Sequence, residues 1–215
     1  MGVVCKDGII LGTEKIILNK MMISGTDKRV YSTSKSNGMV FNGMVPDGRA
    51  VMQRAREETD QYEKNFGIRI PGSVLAERMA LHYHSKTIYA SYRPIGSAAI
   101  FATWDNMKGA QLFMVEPSGQ MLQYYGCCSG RGKQLCRNEI EKGKFREVSV
   151  QDALPLVAKM LLKSQDEMRD KKMEIELSVL SESTKWQHKI LDRATCDRMC
   201  KEALEAIENE DEEMN

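Results

Sequence analysis

The sequence has 215 residues, with 31 Lys and Arg against 30 Asp and Glu, for a formal net charge of +1. That length fits one domain, or at most two small ones, and can bury a sizeable core. The balanced charge leaves no basic field to hold nucleic acid through counterion release, and the apolar runs are far too short to span a bilayer. Neither nucleic acid nor membrane is therefore expected among its partners.

The first stretch, MGVVCKDGIILGTEK, carries two short apolar strands at 3–5 and 9–11, joined through Lys6-Asp7-Gly8. Asp-Gly between β-branched runs predicts a hairpin whose central residues take positive φ. Runs that are apolar throughout predict strands covered on both faces. The chain is thus expected to open directly inside a sheet, with no leader. Ile16, Ile17 and Leu18 continue extended, and Ser24-Gly25-Thr26-Asp27 makes a polar turn. Residues 28–33 and 39–45 predict two more strands around a turn at Lys35-Ser36-Asn37-Gly38.

Pro46-Asp47-Gly48 then stops the strand and a helical period takes over. Its apolar stripe is Val51, Ala55, Thr59, Tyr62 and Phe66, with Arg54, Arg56, Glu57, Glu58 and Glu63 off it, and Gly67 as a stop. A second helix from about Pro71 carries Leu75, Ala76, Met79, Ala80, Tyr83 and Ala90, and is broken by Arg93-Pro94-Ile95-Gly96. Strands follow at 98–104, 111–116 and 121–128. Helix returns over 130–142. Ser149, three residues before Asp152, suits a capping box for another helix through Leu154, Val157, Leu161 and Met168, with Pro155 tolerable in its first turn. Residues 173–180 alternate Glu174 and Glu176 with Ile175 and Leu177 as a strand. A last helix starts near Ala194 and is expected to dissolve into a solvated acidic tail over 208–215, leaving one domain over 1–207. Helices between blocks of antiparallel strands give an α+β fold, a four-layer α-β-β-α sandwich of two antiparallel sheets.

The candidates for chemistry are few. Without a secretory signal, Cys5, Cys127, Cys128, Cys136, Cys196 and Cys200 read as reduced thiols. Cys196 and Cys200 lie four apart and could share a helix face, but no Cys-x-x-Cys pair or histidine cluster completes a four-ligand set, so small buried hydrophobes are expected and no metal. His82 and His84 fall on different helix faces. The glycines at 126, 130 and 132 precede a helix without the Lys-Ser/Thr ending of a phosphate loop. Met1-Gly2 would suit myristoylation except that Lys6 stands where Ser or Thr is wanted. No cofactor is expected.

Several segments in order resemble one family, the α-type subunits of the proteasome core particle. They are KDGIILGTEK, DKRVY, FNGMVPDGRAVMQRAREE, RPIG and GAQLFMVEPSG, with Ile95 standing where the family has an aromatic residue. CKDG, NFGIRIP, YYGCCSG, EIEK and the acidic end are similar to the seventh position of the ring. The resemblance implies the fold of the N-terminal-nucleophile hydrolases. Pro46-Asp47-Gly48-Arg49 matches a segment of the family's N-terminal extension by letters, but its context places it at the later strand-to-helix junction. The extension itself, with its Tyr-Asp-Arg stretch, is not seen ahead of Met1, and its loss would leave a leakier gate.

Catalytic members of that fold use an N-terminal Thr, whose hydroxyl attacks while its own α-amine serves as base. Met1 and Gly2 occupy that region here, and cleavage to expose Cys5 would leave almost no first strand before the turn. Glu14 and Lys28 fall near the family's assisting Asp and Lys. The resemblance therefore implies a non-catalytic subunit; the alternative is a catalytically active, threonine-type protease subunit. It also implies partners: other α subunits in the ring, β subunits of the adjacent ring, and the C-terminal tails of a regulatory particle or activator. The family's tail pocket maps onto Lys28, an ammonium facing a carboxylate, and Gly43, where a Cβ would intrude on the tail. The plainer reading of Lys28 is a solvated turn lysine. Cytoplasm and nucleus are the expected compartments, although Lys171-Lys172 is too short to argue import by itself.

Overall fold

In a computed structural model, residues 1–17, 19, 21–23, 25–163 and 173–213 are described. The expectations at Leu18, Ser24, Met168, Lys171, Lys172 and residues 214–215 lie outside them. Among the described residues, ten strands and five α-helices follow in order: β1 (Gly2–Cys5), β2 (Gly8–Ile16), β3 (Val30–Ser32), β4 (Asn37–Gly43), α1 (Val45–Phe66), α2 (Gly72–Ile88), β5 (Ser97–Asp105), β6 (Gly109–Val115), β7 (Met121–Tyr124), β8 (Gly126–Cys127), α3 (Lys133–Lys142), α4 (Val150–Lys163), β9 (Met173–Ser181), β10 (Lys189–Ile190) and α5 (Arg193–Glu213).

The strands form two five-stranded sheets, ordered β10-β9-β2-β1-β8 and β3-β4-β5-β6-β7, and every pairing is antiparallel. Three buried clusters show how they stack. Ile9, Leu11, Val40, Ile100, Leu112 and Leu180 pack between the sheets. Ile10, Leu177 and Val179, on the opposite face of the first sheet, pack against Val157 and Leu161 of α4 and Cys200 of α5. Phe41, Phe101 and Phe113 of the second sheet pack against Val51 and Ala55 of α1 and Leu75 and Met79 of α2. This is the α-β-β-α sandwich, and β1 and β2 are covered on both faces as their unbroken apolar runs require.

Local details differ from the expectation. Cys5 pairs with Gly8, so the first turn is Lys6-Asp7, and none of residues 6–8 has positive φ. Gly8 is required for a different reason: a Cβ there would sit 2.6 Å from the Leu180 carbonyl oxygen of β9. Asp7 has its own task, accepting a 2.7 Å bond from the Val150 N–H, while Ser149 Oγ accepts from the Asp152 N–H at 3.2 Å. Together they satisfy orphan donors at the start of α4. Asn37 and Gly38 belong to β4 rather than to the turn before it. The stretch 121–128 is two strands in different sheets, with exposed Tyr125 at the crossing. Phe66 is exposed and Glu58 is buried, because Glu58 receives Arg54 along its own helix and Arg78 from α2. Ala90 is exposed, since α2 ends at Ile88. The acidic run continues as helix to Glu213.

Candidate functional site

Aligning the first hairpin with that of the family puts the place of a catalytic nucleophile ahead of Met1, before β1. Met1 is buried; its amine donates to the Gly12 carbonyl at 2.6 Å, and the Gly12 N–H donates back to Met1 at 2.9 Å. Burial holds the amine pKa below its usual value. Beside it lies a cavity of about 510 Å³ lined by Thr13, Glu14, Arg29, Asn42 and Cys128 among others. Cys5 stands at the far end of β1, where burial first and Asp7 second push its thiol up to about 12, the reverse of what a thiolate nucleophile needs. Glu14 lines this cavity and Lys28 does not. Lys28 lines another, of about 270 Å³, with Glu174, Glu176 and Arg193. Lys15 is the lysine shared by both.

Lys28 is exposed, in the segment leading into β3. Among the described residues its ammonium has no hydrogen-bond or ion-pair partner. Its backbone, by contrast, is tied down on every side. The Lys15 ammonium donates to the Asp27 carbonyl at 2.8 Å. The Glu176 carboxylate accepts the Arg29 and Val30 N–H groups at 2.9 and 3.1 Å. The Tyr31 hydroxyl donates to the Lys28 carbonyl at 3.2 Å. Lys15 and Glu176 pair with each other at 2.8 Å with little exposure, and Arg193 neutralises Glu174 at 3.1 Å.

Gly43 ends β4 with φ +116, and a Cβ there would sit 2.3 Å from the Gly96 carbonyl oxygen. Its own backbone therefore demands glycine, whatever approaches from outside. Arg29 links the two predicted site residues, donating from Nη1 to the Gly43 carbonyl at 3.2 Å. Close by, the two sequence motifs at the strand-to-helix junction and at Arg93-Pro94-Ile95-Gly96 meet. Asp47 accepts a fork from Arg93 at 2.6 and 2.8 Å and the Gly96 N–H at 2.7 Å. These donors, Arg93 first, hold the Asp47 carboxyl at about 2.

Sequence reasoning missed Lys15 and Glu176. The alternation in β9 is real, but its polar face looks inward at the other sheet: Ser178 and Leu180, on the Glu176 side, are fully buried. Register supplied the signal, since Lys15 lies directly opposite Glu174 across β2 and β9, and opposite charges there stabilise the pair.

A family model described as "Proteasome subunit" matches residues 1–180. The chain belongs to the proteasome subunit family. Among relatives, it is 40% identical over 188 residues to "Proteasome subunit alpha type-3" of Spinacia oleracea, covering 87% of this chain and 75% of that one. It is 38% identical over 215 residues to the protein of the same name from Arabidopsis thaliana, covering 100% and 84%. The "Probable proteasome subunit alpha type-7" of Saccharomyces cerevisiae is 32% identical over 195 residues, covering 89% and 67%. The recognised resemblance and the sandwich fold thus hold, and membership of this family implies assembly with other proteasome subunits.

Proposed function

We propose that this chain is a non-catalytic α-ring subunit of the proteasome core particle, building the outer ring and substrate gate and offering a surface to activators. The observation that carries this reading is similarity along almost the whole chain to subunits named as α-type. In support, burial makes Cys5 a poor nucleophile. Exposed Phe66, Ile68, Leu81, Ile88 and Tyr92 on and beside the outer helices give apolar surface for neighbouring subunits in its own ring and the β ring. The protein is to be sought in cytoplasm and nucleus, by imaging a tagged copy.

Lys28 is the residue we assign to an activator's C-terminal carboxylate; Gly43 lines neither cavity and is joined to this segment through Arg29, whose guanidinium holds the Gly43 carbonyl. An unpartnered ammonium at the rim of a small cavity suits a carboxylate. The experiment is peptide hydrolysis by particles assembled with Lys28→Ala, with and without a tail-bearing activator. Reduced stimulation supports the assignment; undiminished stimulation removes Lys28 from it. N-terminal sequencing of the subunit from assembled particles tests the non-catalytic part. A mature Thr, Ser or Cys terminus that reacts with an acylating inhibitor would restore a catalytic reading.

A further inference from the structure

We infer that the Lys15–Glu176 pair, a buried lysine with a half-buried carboxylate, is a positioning device that fixes the Lys28 backbone so its ammonium meets an incoming carboxylate. The inference rests on the assignment of Lys28 to such a carboxylate.

The geometry is specific to the residues flanking Lys28. Asp27, one residue before it, has its carbonyl held by Lys15 at 2.8 Å. Arg29 and Val30, the two after it, both donate their N–H groups to one oxygen of Glu176, at 2.9 and 3.1 Å. The other Glu176 oxygen receives Lys15 at 2.8 Å. One ion pair thus grips the chain on both sides of Lys28 and leaves the lysine side chain itself untouched. Lys15 and Glu176 sit on neighbouring strands of the first sheet, β2 and β9. The segment they hold enters the second sheet, so the grip also joins the two layers at this end.

The charge arrangement singles out Lys28 among the cations of this cavity. The cavity at Lys28 is lined by Lys15, Lys28 and Arg193 against Glu174, Glu176 and Asp197, an even balance. No net field draws an anion in. Each acid, however, is paired: Glu176 with Lys15, Glu174 with Lys15 and Arg193, and Asp197 with Arg193. Lys28 is the cation left over, and fixing its backbone reduces the ordering cost of binding. A loosened segment would keep the same charge and lose that advantage.

The test uses assembled particles carrying this full chain and two versions of a short photoreactive peptide copied from an activator's C-terminus. One ends in a free carboxylate and the other in an amide; cross-linking yield to this subunit is read by mass spectrometry. Lys28→Ala should lower capture of the free-acid peptide about tenfold, down to the level of the amide. Glu176→Gln should lower it similarly, and the double variant Lys28→Ala/Glu176→Gln should lose nothing further. Lys15→Arg, which keeps charge and donors, should retain most capture. Should Glu176→Gln not assemble, Glu176→Asp shortens the grip while keeping its charge, and should give a partial loss confined to the free-acid peptide. If Lys28→Ala captures the acid normally, the assignment of Lys28 fails and the positioning role with it. If Lys28→Ala loses capture but the Glu176 loss adds to it in full, or Glu176→Gln has no effect, the positioning role alone is overturned.

Discussion

Strand β9 ties the first sheet to elements of the second at two places on one face, and the two ties are built from opposite chemistry. Glu176 is ionic: it takes a lysine from the adjacent strand and two backbone N–H groups from the segment entering β3. Ser178, two residues on, takes part in a neutral tie through His188. That ring bonds the Ser32 hydroxyl through Nδ1 at 2.7 Å and the Ser178 hydroxyl through Nε2 at 2.9 Å. It lies over Gly38, where a Cβ would come within 2.1 Å of the ring. The ionic tie borders two cavities, and the neutral one is closed in. The lesson is that a carboxylate can stay in a sandwich interior only where its charge and its acceptor sites are both used. Where no counter-charge is at hand, a neutral imidazole between hydroxyls serves.

The comparison can be broken most severely at the ionic end. Lys15→Met leaves Glu176 and Glu174 with their charges and without their shared partner, and should cost about 3 to 5 kcal/mol of folding stability. Urea unfolding of the isolated chain measures it. A loss below about 1 kcal/mol, the range of surface pairs, would show the pair to be wetter than its burial implies.

The neutral end should respond to acid. Burial lowers the His188 pKa from 6.5 to about 4. The unfolded chain therefore takes up this proton first as pH falls, so the stability this site gives is full above about 6.5 and is lost progressively down to about 4. The span amounts to something on the order of 3 kcal/mol. The chain's two tryptophans report on this region, because Trp186, two residues before His188, stacks on Trp104 with centroids 5.4 Å apart. Tryptophan fluorescence under urea at pH 7 and pH 5 should show the loss, and His188→Gln should flatten it. An equal slope in wild type and variant would place the pH dependence elsewhere. Removing one hydroxyl, Ser178→Ala, should cost less, about 1 to 2 kcal/mol, by leaving one imidazole nitrogen unpaired.

The smallest effect belongs to Asp47, whose tie to Arg93 lies at the surface. Its carboxyl, held at about 2, contributes stability above its ordinary pKa near 3.8 that disappears as pH falls toward 2. Asp47→Asn should therefore leave the thermal midpoint only slightly lower at pH 7, and indistinguishable from wild type at pH 2. A difference that persists at pH 2 would assign the effect to packing instead.

What was legible in the sequence follows the same division. Apolar periodicity located every long element, because burying one stripe of a helix or both faces of a strand leaves a pattern in one dimension. β10 escaped, being two residues long with both exposed, and the break at Tyr125 escaped because a change of sheet does not interrupt an extended run. Lys28 and Gly43 came from resemblance, and the structure gives Gly43 a reason of its own in its positive φ. Lys15, Glu176 and His188 were invisible because their partners are distant in sequence. A charged residue that faces inward carries the same letter as one that faces water.

Native mass spectrometry of the tagged protein, isolated gently from its own cells, tests the ring-subunit reading most directly. The account predicts a very large particle containing many related subunits, with this chain in stoichiometric amount. A lone monomer or a small oligomer under conditions that preserve other large complexes would contradict it.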